Sequence, residues 1–276
     1  MRRRLAAEII AVFNDPAQGE RPVARRADGL FGPGSVAWRV HGDVVSMMAG
    51  GVSGLLLQML HPQVLAGVWD HSNFRQDMAG RLRRTARFIA LTTYGGPEEA
   101  EAAIARVRAI HGQVRGTLPD GSPYAADRPD LLAWVHVTET TSFLAAYRRL
   151  VDPRLSAADQ DRYFAEMTEV GARLGADPLP RTAAEARALI AATRPSLRVD
   201  ERTHEVARLI LDPPPMKPSL RTFQRLTLDA GVDLLPDWAR RMHGLEPPAL
   251  KRPGTRAAAM ALGGVVRWAF QRPDAA

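Results

Sequence analysis

Apolar residues recur at spacings of three and four along most of the chain beyond residue 40, which is the period of one face of an α-helix. The clearest case starts at residues 96–99 (Gly-Pro-Glu-Glu), where a proline and two acids suit the first turn of a helix. His111 lies on the apolar stripe that follows, and the Leu-Pro-Asp-Gly turn at 118–121 is expected to close this helix. The stripe is predicted to consist of Ala100, Ala103, Ile104, Val107, Ile110, Val114 and Leu118.

A second stripe runs through residues 130–150 and includes His136 and Glu139. Thr182-x-x-Glu185 is a capping box that starts a further helix, and the prolines at 213–215 end another. Few segments alternate with a period of two, and the connections between helices are short. The pattern therefore predicts an all-α fold made of a single multi-helix domain.

The run 44–69 contains no acidic or basic residue and is long enough to span a bilayer. It also contains Gln58, His61, Pro62 and Gln63, so it does not form a uniform apolar cylinder. Since Pro62 ends or kinks a helix, we predict a kinked helix or helical hairpin buried in the protein.

The chain has no cysteine, which excludes disulfides, thiolate-bound haem and cysteine nucleophiles, and fits a reducing compartment. Its net charge of +7 rests on arginines scattered over amphipathic helices. Because they are not massed with aromatic residues, we expect no nucleic-acid partner. The expected location is the cytoplasm, with at most a salt-sensitive, peripheral association with membranes.

Polar residues interrupt three of the apolar helices: Arg81-x-x-Arg84-Thr85, His111-x-x-x-Arg115 and His136-x-x-Glu139. A helical histidine on an apolar stripe can be an axial ligand of haem iron, and nearby arginines can pair with the propionates. The same pattern is typical of a core histidine bonded to a backbone carbonyl. Likewise, His136 and Glu139 could form a buried ion pair, or His136 could be a second axial ligand.

Other readings find less support in the sequence. Glu201-x-x-His204 is the unit that di-iron bundles use twice, but no second copy occurs. His61 and His71 are expected to satisfy backbone groups near Pro62 and in the following loop, or to line a substrate entrance. No phosphate-binding loop, dinucleotide fingerprint or serine nucleophile elbow is present.

Six segments together resemble the MpaB/rubber-oxygenase catalytic domain, a family that includes latex clearing proteins. The resemblance covers roughly residues 30–245 and rests on segments 55–62, 66–75, 80–85, 107–116, 132–138 and 234–240. It implies a globin-like helical core, one haem b, and oxygen-dependent cleavage of isoprenoid double bonds. We expect three segments in the chain: an N-terminal amphipathic helix and loop (1–29), the haem domain that carries the resemblance (30–250), and a C-terminal helix packed on it (251–276).

In this resemblance, His111 of the Ile-His-x-x-Val-Arg motif looks like the proximal haem ligand. Arg81-x-x-Arg84-Thr85 looks like the distal Arg-x-x-Lys-Thr motif of the rubber oxygenases, with Arg84 in the place of lysine. An arginine stays charged and is a poor iron ligand, so the distal position is expected to be open or water-filled. Arg84 and Thr85 are then the expected catalytic residues, stabilising oxygen by hydrogen bonds. Arg81, Arg115 and His136 are the expected further contacts to haem.

The sequence thus predicts a haem b-dependent oxygenase that acts, with dioxygen, on a hydrophobic, unsaturated small molecule. The alternative is a haem- or lipid-binding carrier with the same pocket and no turnover.

Overall fold

The computed structural model describes residues 2–14, 19–246 and 252–270. Within these ranges the chain forms thirteen α-helices and one small hairpin, so the all-α prediction is confirmed. The helices are α1 (Arg2–Phe13), α2 (Val36–His41), α3 (Val44–Gln58), α4 (Pro62–His71), α5 (Met78–Tyr94), α6 (Pro97–His111), α7 (Pro129–Leu150), α8 (Ala157–Leu174), α9 (Ala183–Thr193), α10 (Glu201–Leu211), α11 (Arg221–Leu234), α12 (Asp237–His243) and α13 (Arg252–Phe270).

Helix α3 is the centre of the fold, packed between α7 and α11. Small residues allow this approach: a Cβ on Gly50 would lie 2.8 Å from the ring of Phe143 on α7, and one on Gly231 of α11 would lie 2.6 Å from Val52. Most of α3 is consequently buried in protein. Gly50 of α3 and Gly231 of α11 are therefore needed for close helix packing.

The uncharged run 44–69 forms α3 and most of α4, and the chain bends by 104° between the two helices. Pro62 is the first residue of α4. The prediction of a bent, buried pair is therefore confirmed. Over the described ranges, no single helix combines the length and hydropathy of a membrane span, and α3 and α4 reach them only as this bent pair.

Helix α6 starts as predicted, with Gly96 as its N-cap and the Glu99 carboxylate accepting from the Gly96 N–H at 2.9 Å. It ends at His111, however, and the predicted extension to Leu118 is wrong. Gly112 ends the helix, and the chain continues into strand β1 (Arg115–Thr117), which pairs antiparallel with β2 (Pro123–Ala125). Residues 118–121 form the turn of this hairpin, and Ile110 is 51% exposed. His111 is thus at a helix end beside a hairpin.

Helix α13 packs on α11 and α3, and two buried carboxylates hold it there. Asp233 accepts from Arg256 at 2.7 Å and from Arg149 of α7 at 3.0 Å. Asp43, the N-cap of α3, accepts from Arg267 at 2.8 Å. Breaking either pair would leave a carboxylate buried without its partner, which makes these contacts strong determinants of position.

Candidate functional site

Arg81 of α5 is half-buried, and its side chain borders the apolar core. It lines a small cavity with Leu55, Met59, Val68, Phe74, Met78, Val206 and Ile210. Burial lowers the pKa of its guanidinium, and the charge of Arg84 adds to this shift. Its one hydrogen bond among the described residues is to the Ser72 hydroxyl at 3.0 Å, and no carboxylate there pairs with it. A buried cation without a carboxylate is costly, so the position suits an anionic ligand.

His111 lies close enough to Arg81 for that charge to affect it. Burial is the main cause that lowers the pKa of His111, the charge of Arg81 comes next, and Asp127 acts against them. The imidazole is therefore neutral at physiological pH, the form that can coordinate a metal. Its Nδ1 is buried without a hydrogen-bond partner in the described part of the chain. The prediction that His111 could be a core histidine bonded to a carbonyl is wrong.

Arg115 pairs with Asp127, whose charge acts on the pKa of His111. Its guanidinium is exposed and donates to the Asp127 carboxylate at 2.6 Å and to the Gly112 carbonyl at 3.2 Å. The Arg115 carbonyl accepts from Nε2 of His71 at 3.1 Å, which confirms the backbone role expected for that histidine. The charges of Arg81 and of Asp127, the partner of Arg115, thus both act on His111 at the end of α6, and the role of these residues as haem contacts stays a prediction.

Arg84 and Thr85 lie one turn further along α5, but on its exposed side. The Arg84 guanidinium donates to Asn73 at 3.3 Å and to Asp77 at 3.4 Å, both in the segment before α5. The Thr85 hydroxyl donates to the Arg81 carbonyl at 3.2 Å. In this conformation neither side chain is directed into the cavity that Arg81 lines.

His136 is held between α7 and α8. A Cβ on Gly171 of α8 would lie 3.1 Å from Nε2 of His136, so the two helices are in close contact here. Burial lowers the pKa of His136 to about 4, although a hydrogen bond with the backbone of Met167 acts in the opposite direction. None of its described contacts involves Arg81 or His111. No ion pair with Glu139 forms in the described ranges, where burial raises the pKa of the Glu139 carboxyl to about 7. The alternative of a His136–Glu139 ion pair is therefore wrong.

Sequence reasoning missed a second polar cluster, centred on His41. Nδ1 of His41 lies 2.7 Å from the Thr93 hydroxyl and Nε2 lies 2.9 Å from the Tyr163 hydroxyl, all buried. Burial lowers the pKa of His41 to about 3. The only available signal was three separate polar residues on apolar helix faces, and periodicity alone cannot pair them.

Two other histidines have a buried, unpartnered Nδ1. Nε2 of His243 donates to the Leu56 carbonyl at 2.9 Å, so its ring is already anchored. His61 is the N-cap of α4 but makes no capping bond, so its expected backbone role is wrong. Their neighbouring arginines pair with carboxylates: Arg128, whose charge acts on His61, pairs with Asp130, and the buried Arg240, one turn before His243, pairs with Asp237. Glu201 and His204 are both exposed, and no cluster of three metal-binding side chains occurs in the described residues.

The residues around Arg81 and His111 fit a haem group in their chemistry. A neutral imidazole with an unpartnered nitrogen can hold iron, a buried arginine without a carboxylate can pair with a propionate, and the lining is apolar. The cavity volume is about 10 Å³, room for roughly one water. His111 is not among the residues that line this cavity, and the cavity is too small for a porphyrin in this structure.

These features define an all-α protein with a histidine–arginine site at the edge of its apolar core. The chain belongs to the family described as ER-bound oxygenase mpaB/B′/rubber oxygenase, catalytic domain, whose model matches residues 38–268. The expected family is thereby confirmed, and the match continues past residue 250 into α13. No curated protein and no solved structure matches the chain significantly. The family is one of oxygenases, which supports an oxygenase role.

Proposed function

We propose that the protein is a haem b-dependent oxygenase that acts, with dioxygen, on a hydrophobic, unsaturated, isoprenoid-like small molecule. The observation that carries this proposal is the nearness of Arg81 to His111: a cation at an apolar cavity that bonds only Ser72, close to an imidazole whose buried Nδ1 has no partner in the described residues. Family membership supports the oxygenase class. The cofactor and the substrate class are inferred from the resemblance and from the chemistry of this pair.

In this proposal, haem b supplies the activation of dioxygen. His111 would hold the iron of this group, since burial and the charge of Arg81 lower its pKa and keep a ring nitrogen deprotonated. Arg81 would pair with a propionate, and Arg115, which is bound to Asp127, would be a further cationic contact. The apolar side chains around Arg81, such as Leu55 and Phe74, exclude water and favour a hydrophobic substrate.

We assign the main polar contact inside the site to Arg81, and a smaller catalytic contribution to Arg84 and Thr85. Arg84 is bound to Asn73 and Asp77, so it must leave these partners to reach a ligand. Thr85 already donates to the backbone of Arg81 and can influence the site by fixing this turn of α5. His136 is left as a structural residue between α7 and α8.

The test is oxygen uptake by hemin-loaded protein with a panel of terpenoids and unsaturated lipids, combined with product mass. We expect products with added oxygen from the wild type and from His204→Ala, a control in which an exposed histidine is removed. His111→Ala should form none. Holoprotein that binds these compounds but consumes no oxygen above background over the whole panel would contradict the oxygenase and favour the carrier.

A further inference from the structure

Exposed large apolar side chains are concentrated on one helix. Over the described ranges they are Ile10, Ile110, Met260, Val265, Trp268 and Phe270, so four of the six lie on α13. Three of these four share one side of α13 with exposed small residues, at spacings of three and four. We call this side the α13 face: Ala257, Met260, Ala261, Gly264, Val265 and Trp268.

Arginines lie along one edge of the α13 face and on the neighbouring helix α1. The sequence of α13 contains no acidic residue, and Arg256 and Arg267 follow one edge of the face, where they pair with Asp233 and Asp43 and are 39% and 40% exposed. Helix α1 packs beside α13, and its Arg2 guanidinium lies 5.9 Å from the centre of the Trp268 ring. Arg3 and Arg4 are exposed on the same helix. The one acid of α1, Glu8, is bound to Arg4 and Ser219.

We propose that the α13 face, together with the arginines of α1, docks on the surface of a bilayer containing anionic phospholipids. A helix with an apolar stripe bordered by arginines lies in the plane of a membrane interface, where tryptophan is also favoured. Anionic lipid headgroups complement Arg2 and Arg3 of α1, which have no carboxylate partner among the described residues. This inference does not depend on haem or on oxygenase activity.

A second copy of this chain suits the α13 face less well. In a symmetric dimer the same patch meets itself, which would place the arginines of two α1 helices near one another. Like charges across an interface oppose association, whereas an anionic bilayer attracts both. The charge around the face therefore favours lipid as its partner.

The experiment is co-sedimentation of the full chain with phosphatidylcholine vesicles, with and without phosphatidylserine, at low and high salt. We expect binding only to the serine-containing vesicles, with a smaller bound fraction at high salt. Val265→Glu should weaken this binding roughly tenfold, because it puts an acid in the stripe. Ile110→Glu, which changes an exposed apolar residue on α6, should bind like the wild type. Arg3→Glu should weaken binding without affecting the apolar stripe.

Thermal melts of each variant should match the wild type, since Val265 and Ile110 are half-exposed. The proposal is overturned if the wild type ignores anionic vesicles, or if Val265→Glu and Ile110→Glu bind them equally. It is also overturned if the wild type is a dimer that Val265→Glu makes monomeric while vesicle binding is absent. That last result would assign the α13 face to a second copy of the chain.

Discussion

His41 and His111 are both withdrawn from water, and burial lowers the pKa of both imidazoles. Their surroundings differ in one respect. Both ring nitrogens of His41 meet hydroxyls, from Thr93 and Tyr163, within 2.9 Å. Nδ1 of His111 has no partner, and its charged neighbour, Arg81, has no carboxylate. The first group stabilises the fold, whereas the second is costly to the apoprotein, which is the expected state of a site built for a ligand.

The largest expected effect is on the His41 cluster. His41→Ala leaves the hydroxyls of Thr93 and Tyr163 buried without their partner, and we expect a loss of about 2–6 kcal/mol in the free energy of unfolding. Urea denaturation of the apoprotein measures it. His111→Ala should cost less than about 1 kcal/mol in the same assay, because it breaks no hydrogen bond seen in the described residues. Equal losses in the two variants would contradict the difference between the clusters.

Glu139 lies near the His41 cluster, since its charge helps to raise the pKa of Tyr163. Its carboxyl makes the free energy of unfolding depend on pH. Its folded pKa is about 7, above the ordinary 4.5, so its contribution is present below 4.5 and lost as pH rises toward 7. Glu139→Gln should therefore lose less stability than the wild type between about pH 5 and pH 8, by on the order of 1–3 kcal/mol. Unfolding curves across this range measure the difference, and parallel pH profiles would show that the carboxyl is not protonated in the folded protein.

His41 makes the free energy of unfolding depend on pH in the opposite direction. Its folded pKa of about 3 lies below the ordinary 6.5, so the stability that it contributes is complete above 6.5 and is lost as pH falls toward 3. The fall of stability on the acid side should therefore be shallower in His41→Gln than in the wild type. An equally steep acid limb in that variant would assign the loss to other groups.

Arg81→Leu should change stability and binding in opposite directions. Removing a buried cation that lacks a carboxylate should raise the apoprotein's free energy of unfolding by about 1 kcal/mol. The same change should weaken hemin binding, since a propionate loses its partner. Urea denaturation and hemin titration measure the two effects, with Arg187→Leu, at an exposed arginine of α9, as the control. A less stable variant with unchanged hemin affinity would make Arg81 a structural residue.

The smallest expected effect is that of Arg84→Ala. Its guanidinium is exposed and its bonds to Asn73 and Asp77 are 3.3 and 3.4 Å long, so we expect stability within about 0.5 kcal/mol of the wild type. Hemin affinity should change less than in Arg81→Leu. A larger loss of hemin binding or turnover in Arg84→Ala than in Arg81→Leu would mean that α5 turns on binding and brings Arg84 inside.

The sequence predicted helix starts better than helix ends. Residues 96–99 identify the start of α6 through local chemistry, a proline and a capping glutamate. The apolar spacing continues through Val114 and Leu118, although the chain has by then entered the hairpin, because β1 and the turn also bury one side. Periodicity counts apolar residues and cannot tell which element buries them.

The sequence predicted only part of the site, because spacing along a helix does not say which side chains the tertiary structure buries. His111, Arg81 and Arg115 were named from motifs; in the structure the charge of Arg81 acts on His111, while Arg115 pairs with Asp127. Arg81 and Arg84 are one turn apart, and the sequence does not specify which guanidinium is buried, since that depends on the rotation of α5. The His41 cluster joins α2, α5 and α8, so its pairing exists only in the tertiary structure.

The central claim is that His111 holds haem, and a spectroscopic titration of the apoprotein with hemin tests it most directly. We predict a Soret band that saturates near one haem per chain in the wild type and in His204→Ala, and that is largely lost in His111→Ala. The ferric spectrum should be high-spin or water-ligated, because Arg84 stands where a lysine could bind iron. Saturable hemin binding by His111→Ala with the wild-type spectrum would contradict the account.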